Sequence, residues 1–279
     1  MIPPPYEYLN PNQLSEAISL LQKHGEEAKI LAGGHSLIPA MKLRFALPEY
    51  LIDISGIEGM DFLREEEGQL RIGAMSRESS LEESELISEK YPLLLDTAKM
   101  IADPQVRNMA TVGGNLAHGD PANDHPATML AMNAEVVVKG PSAPMTDGVR
   151  TVAIDEFFVG PLMTALNHNE ILMEIRIPEP ASSCGATYLK LERKVGDYAI
   201  AGVAVSLGLD DNGNCSNAGI ALTNVGPTPV RATQAQESLK GKSLDENNIA
   251  DAAQLAADAS QPVGDHRGSE EFKRAIVKT

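Results

Sequence analysis

Positive charge is scarce in this sequence. Its 279 residues hold 23 Lys and Arg against 39 Asp and Glu, a formal net charge of −16. Nucleic-acid phosphates need clustered Lys and Arg, so a nucleic-acid partner is not expected, nor is an anionic membrane surface. The acidity fits solubility and the steering of a basic partner. Cysteine is scarcer still. Cys184 and Cys215 lie in no C-x-x-C pair, which argues against a zinc site or an iron–sulfur cluster built by this chain. By count they allow one disulfide; two buried thiols in a cytoplasmic protein are the expectation. No run of about 18 apolar residues occurs, so no membrane span is expected. Met1 to Pro5 has neither the basic nor the apolar region of a signal peptide. Three motifs are also missing: G-x-G-x-x-G, Gly-Lys followed by Ser or Thr, and a complete G-x-S-x-G, since Gly34-His35-Ser36-Leu37-Ile38 lacks the final glycine. No acid–base pair or nucleophile stands out in the chain.

What is present is a pair of similar stretches. Ile30-Leu31-Ala32-Gly33-Gly34-His35-Ser36-Leu37 and Ala110-Thr111-Val112-Gly113-Gly114-Asn115-Leu116 each run from apolar residues, readable as the end of a buried strand, into paired glycines. Glycine there permits positive φ and the close approach of a ligand. Successive free N–H groups form an anion-binding nest, which the N-terminus of a following helix reinforces. One such loop alone reads as a tight turn. Two of the same build predict a grip on one diphosphate from two sides.

The remaining chain punctuates itself. Leu14, Ala17, Ile18 and Leu21 follow helical spacing up to Gly25. A strand is expected over 28–32, a short helix over 37–43 with Pro39 in its first turn, and a strand over 50–54. A second unit begins near Gly59: a strand over 69–74, helices over 80–90 and 92–102 (Pro92 at N1), a helix over 122–132, a strand over 134–139, a Pro/Gly turn region from Gly140 to Gly148, and extended segments over 151–158, 170–177 and 185–192. Pro178 to Ser183 reads as a boundary. Beyond it, strands over 199–209 and 217–223 pair across the turn Asp210-Asp211-Asn212-Gly213-Asn214, and helices are expected over 231–239, 245–259 and 270–277.

Lys29 to Ser36 and Thr111 to Asn115 closely resemble the two FAD diphosphate loops of the flavoprotein (medium) subunit of molybdenum hydroxylases, the family of carbon monoxide dehydrogenase and the xanthine dehydrogenases. The likeness continues through Ile101-Ala102-Asp103-Pro104-Gln105-Val106-Arg107-Asn108 and Asp120-Pro121-Ala122-Asn123-Asp124 and covers essentially the whole chain. It implies an α+β fold: two N-terminal α/β FAD-binding subdomains of the PCMH type, over 1–58 and 59–178, then a C-terminal flavoprotein domain of antiparallel strands plus helices over 179–279. It implies FAD in this chain, with 2Fe-2S clusters on a small partner subunit and a molybdopterin cofactor on a large one. Electrons would pass from the clusters through FAD to an external acceptor, in a dimer of heterotrimers. Two rivals are a stand-alone FAD-dependent oxidoreductase of the same fold and a non-enzymatic flavin carrier or assembly factor.

The resemblance also assigns residues, each with a plainer alternative. Lys29, Ile30, Leu31, Ala32, Gly33, Gly34, His35, Ser36 and Leu37 would line the first loop. Ser36 either donates to a phosphate or caps the helix at Leu37, and the two are compatible. Ile101, Ala102, Thr111, Gly113, Gly114 and Asn115 would line the second loop, with Arg107 and Asn108 beside the flavin or merely polar loop residues. Asp124 would accept from the FAD ribose. Leu172 would pack on the cofactor or be an ordinary core residue. Lys190 would touch the cofactor or be a solvated strand lysine. Tyr198 would shield a face of the isoalloxazine ring or open a strand half-buried. His118, Asp120, Asp124 and His125 are metal-ligand types, but the two X-Pro steps read as turn and helix-start chemistry, and no metal is expected.

Overall fold

Among the described residues, three sheets, each drawn from its own stretch of chain, and one small hairpin organise the fold. The computed structural model describes residues 1–142 and 147–279. In the first stretch, β1 (Glu7–Leu9) leads to α1 (Leu14–His24), which buries Ala17, Ile18 and Leu21 and stops at Gly25, where φ is 55°. β2 (Ala28–Leu31), α2 (Leu37–Lys42) and β3 (Tyr50–Asp53) follow. The strands pair in the order β1-β3-β2, all parallel. Their carboxyl ends therefore share one edge, the edge at which open α/β sheets bind ligands. The first glycine loop springs from that edge.

The second stretch holds β4 (Leu63–Glu66), β5 (Gln69–Gly73), α3 (Glu78–Glu83), α4 (Glu85–Lys90), α5 (Pro92–Met100), α6 (Pro104–Arg107), α7 (Val112–His118), α8 (His125–Ala131), β6 (Glu135–Lys139), β7 (Val149–Ala153), α9 (Ile154–Phe157), the hairpin β8 (Phe158–Gly160) and β9 (Met163–Thr164), and β10 (Ile171–Pro178). Its antiparallel sheet runs β4-β5-β10-β6-β7. The late strand β10 thus lies in the middle of the sheet. Leu70, Ile72, Val136, Val138, Ile175 and Ile177 are fully buried there, in a core shared with Ala17, Ile18 and Leu21.

The third stretch is an antiparallel sheet of β11 (Cys184–Leu191), β12 (Ala201–Leu209), β13 (Cys215–Thr223) and β14 (Val230–Arg231), covered by α10 (Thr233–Leu239), α11 (Glu246–Ala259) and α12 (Glu270–Lys278). The β12–β13 turn forms as its residues demand, with Asp210 Oδ1 accepting from the N–H groups of Asn212 and Asn214. Val205 and Leu207 pack with Ile220, Ala235, Leu239 and Ala256 in a second core.

Several expectations need correction. The helix over 80–90 is two helices, because Ser84 leaves the helical path and its Oγ accepts from the Ile87 N–H as an N-cap. The segment 151–158 is extended only to Ala153, then makes one helical turn. The helix over 122–132 begins at His125, because Asp120 Oδ1 and its carbonyl hold the Ala122 and Asn123 N–H groups in a turn. Of the turn region from Gly140 to Gly148, residues 143–146 lie outside the described residues. Both cysteines are free, but only Cys215 is buried; Cys184 is exposed.

Candidate functional site

The two glycine loops touch. A Cβ on Gly33 would stand 2.3 Å from the Met109 carbonyl oxygen and 2.7 Å from Ala110 Cα, and one on Gly114 would lie 3.7 Å from Ala32 Cβ. Glycine at 33 is thus required by close approach of the other loop. Gly34 is required by conformation, with φ at 74°.

The loops differ in what they leave free. In the first, the N–H groups of Gly33, Gly34, His35, Ser36 and Leu37 donate to no acceptor among the described residues. Ser36 takes the N-cap position without a side-chain cap bond, so the capping role is not used and its hydroxyl stays available. His35 turns back on its own loop, Nδ1 lying 2.7 Å from the Gly33 carbonyl. Lys29 and His35 are exposed; Ile30, Leu31, Ala32 and Leu37 are half-buried.

The second stretch is not the end of a strand, and its glycines do not take positive φ. Thr111 is the N-cap of α7, its Oγ1 accepting from the Gly114 N–H, and Gly113 and Gly114 fill the helix's first turn. The Val112 N–H is given to the Ser76 carbonyl, that of Gly113 to Ala74, and that of Asn115 to Thr111. Gly113 packs so tightly that a Cβ would stand 2.5 Å from Ala74 Cβ. No free nest exists here; this stretch is a wall. Its unused group is a side chain, the buried Asn115 Oδ1, which has no hydrogen-bond partner among the described residues. Ile101 is buried and Ala102 adopts φ 45°, and both carbonyls accept from Arg107, which also grips Glu82 through Nε at 2.8 Å.

Behind the loops runs a buried polar network. Asp124 is 6% exposed. Its Oδ1 accepts from the Tyr188 hydroxyl at 2.6 Å and its Oδ2 from Lys190 Nζ at 3.2 Å. Lys190 also donates to the carbonyls of Met100 (2.7 Å) and Asp197 (3.2 Å), and its side chain has no exposed area, so it is no solvated lysine. Burial pushes the Asp124 carboxyl above its ordinary range, opposed by Lys190 and Tyr188. Leu172 is buried in the main core, opposite Val138. Tyr198 is 43% exposed, with the Arg267 guanidinium 5.7 Å from its ring centre.

Sequence reasoning missed a second buried pair. His125 Nε2 and Glu78 Oε2 lie 2.6 Å apart with neither side chain exposed, and Glu78 also gives its backbone N–H to the Ala110 carbonyl. The pair fastens the start of α8 to the lead-in of the second stretch. A periodicity argument has no access to it, because the partners are 47 positions apart. His118 stands instead 4.0 Å from Asp120. Burial pushes its pKa below the usual 6.5, with Asp120 opposing. The folded chain therefore takes up this proton less readily than the unfolded chain, so the stability it contributes is complete above pH 6.5 and lost as pH falls below it. His118→Gln is expected to flatten the acid side of a melting temperature against pH curve; an unchanged slope would remove His118 from that account.

The first loop fits a nucleotide diphosphate, with five unpaired N–H groups and a free hydroxyl on a parallel-sheet edge; the unpaired Asn115 Oδ1 is an acceptor and suits a hydroxyl or N–H of the same ligand, not its phosphates. Comparison with known proteins bears on the chain as a whole. A family described as "FAD binding domain in molybdopterin dehydrogenase" matches residues 4–180, and one described as "CO dehydrogenase flavoprotein C-terminal domain" matches residues 186–279. The carbon monoxide dehydrogenase medium chain of Hydrogenophaga pseudoflava is 47% identical over 277 residues, covering 99% of this chain and 94% of that one. A 6-hydroxypseudooxynicotine dehydrogenase complex subunit alpha of Paenarthrobacter nicotinovorans is 34% identical, covering 100% and 93%. The solved carbon monoxide dehydrogenase from Hydrogenophaga pseudoflava superposes with a TM-score of 0.95 at 47% identity, covering 100% of this chain and 95% of that chain.

Proposed function

From the premise that the chain belongs to the FAD-binding medium subunits of the molybdenum hydroxylases, we propose that it relays electrons from 2Fe-2S clusters of a small partner subunit to an external acceptor, the substrate being oxidised on a large molybdenum subunit. The observation that carries the reading is the row of free N–H groups from Gly33 to Leu37, pressed by Gly33 against the second stretch. Bound FAD supplies a ring that accepts and gives up electrons; the chain's task is to hold and shape. Gly33, Gly34, His35 and Ser36 donate to the diphosphate, with Lys29, Ile30, Leu31, Ala32 and Leu37 forming the frame of that loop. Thr111, Gly113, Gly114 and Asn115 form the opposite wall, next to Ile101 and Ala102. Leu172, Asp124 and Lys190 expose little surface, and their part is to fix that wall from behind. Tyr198 stands at the flavin ring.

The chain divides, in this proposal, into units over 1–58, 59–178 and 179–279. The iron–sulfur partner docks near Tyr198 and the segment from Asp103 to Asn108, because transfer needs the two cofactors close together, and the whole assembles as a dimer of heterotrimers. Relatives named for carbon monoxide and for 6-hydroxypseudooxynicotine match this chain in sequence along its length, which supports a substrate chosen elsewhere in the complex.

Acid precipitation of the purified chain should release FAD, and anaerobic mixing with substrate should leave the flavin of the isolated chain oxidised while bleaching it in the complete complex. Bleaching in the chain alone would instead mean a self-contained oxidoreductase. No bleaching in the fully loaded complex would mean a carrier or assembly factor.

A further inference from the structure

Tyr198 is exposed but not free. Its backbone N–H is taken by Asp197 Oδ1 at 2.9 Å, and the same oxygen accepts from an Arg267 terminal nitrogen at 3.1 Å. One carboxylate oxygen thus joins the tyrosine's backbone to the cation that sits over its ring. Arg267 comes from 70 residues further along the chain, presented by a closed turn. Asp265 Oδ1 accepts the N–H groups of both Arg267 (2.8 Å) and Gly268 (3.2 Å), and Asp265 Oδ2 accepts from Lys273 Nζ at 2.8 Å. Lys273 is a buried residue of α12. On the other side, the Asp197 carbonyl accepts from Lys190, and the Gly196 N–H donates to Glu192. A rigid path therefore runs from α12 through Asp265, Arg267 and Asp197 to Lys190 and Asp124. Three buried atoms along it, Arg267 Nε, Asp197 Oδ2 and Glu192 Oε2, make no hydrogen bond among the described residues. Two of them still face a cation, Asp197 Oδ2 at 3.3 Å from Arg193 Nε and Glu192 Oε2 at 3.2 Å from Lys190 Nζ. Arg267 Nε is left without either, and an unpaired buried donor lowers stability and calls for an explanation other than stability.

We propose that Arg267 is a positioning residue for the flavin: the C-terminal helix and its turn carry a planar cation that holds the Tyr198 ring at one angle beside the cofactor. The proposal rests on Tyr198 facing the isoalloxazine ring. A planar guanidinium holds the ring contact and the bond to Asp197 in one fixed geometry, which the flexible stem and point charge of a lysine reproduce poorly.

The test uses the full chain loaded with FAD and reads the fluorescence and visible circular dichroism of the bound flavin, beside its dissociation constant and a thermal melt. R267Q should keep FAD bound and shift the flavin towards its unstacked, brighter form by roughly two- to fivefold, the factor by which an exposed cation–π contact biases an equilibrium. R267K should reproduce most of that change, and it decides the matter if R267Q does not fold. Y198A should brighten the flavin by itself, and adding R267Q to it should change nothing more. Unchanged flavin signals in R267Q and R267K, or a full additional effect of R267Q on the Y198A background, would overturn the proposal. A flavin indifferent to Y198A would overturn it by another route, through the placement of Tyr198, and a chain that binds no FAD would remove the parent reading itself.

Discussion

Replacing Gly33 with alanine is expected to weaken FAD binding roughly 10- to 100-fold while the chain still folds. The new Cβ would stand 2.3 Å from a backbone carbonyl oxygen and 2.7 Å from a backbone Cα, neither of which can swing aside as a side-chain tip can. Overfilling a packed site costs about 1–3 kcal/mol. Here the strain is relieved by parting the two loops, and each 1.4 kcal/mol withdrawn from binding is about tenfold in affinity. Gly185→Ala is the control, since its Cβ would meet nothing within 4 Å. The measurement is FAD affinity by fluorescence titration with a parallel melt. Wild-type affinity in Gly33→Ala would mean that the contact between the loops does not shape the cofactor site.

Lys190→Met should be the most destabilising single change in the network. It leaves the Asp124 carboxylate buried with only the Tyr188 hydroxyl for company and empties two carbonyls of their donor. Removing one partner of a buried pair costs about 3–5 kcal/mol, which for a chain of this size lowers the melting temperature by roughly 6–20 °C. The loss should ease in acid. The Asp124 pKa is raised by burial, so the folded state keeps that proton longer than the unfolded state, and the carboxyl's contribution is greatest at low pH and falls as pH rises through the interval between the two pKa values. Taking away Lys190 widens that interval. Asp124→Asn in the same chain should recover part of the loss, because the uncompensated charge goes with it. A shift under about 2 °C in Lys190→Met, small against the size scaling of melting temperatures, would show that the network does not carry the fold.

Much of the architecture was legible because its signals are local. The spacing of Ala17, Ile18 and Leu21, the stop at Gly25 and the strand pair around Asp210 all follow from neighbouring residues. β4 escaped notice because it is an edge strand whose residues Leu63 to Glu66 are mostly charged, pairing with β5 alone. The second glycine stretch misled because Ala110 and Val112 look like strand residues, yet they pair only with the Glu78 N–H and the Ser76 carbonyl, a single antiparallel bridge between Thr111 and Arg77 rather than a strand. The first loop could be located but its free N–H groups could not be counted, since a vacancy in hydrogen bonding has no composition. Without the resemblance, Lys190 reads as a strand lysine, solvated; its burial depends on Asp124, 66 positions away. Arg267 carried no signal at all, being an isolated cation in a polar turn.

The seam between the two family segments has a consequence for how such chains can recombine. Asp124 lies in the segment 4–180, and both of its donors, Tyr188 and Lys190, lie in the segment 186–279. The halves are thus not interchangeable parts. A hybrid that took its first half from this chain and its second from a relative would inherit a buried acid whose neutralisation depends on the incoming strand, at two alternate positions of one face. A junction placed between the two segments therefore cuts a contact of three side chains, and a hybrid made there keeps it only if the incoming strand brings a tyrosine and a lysine at the two positions.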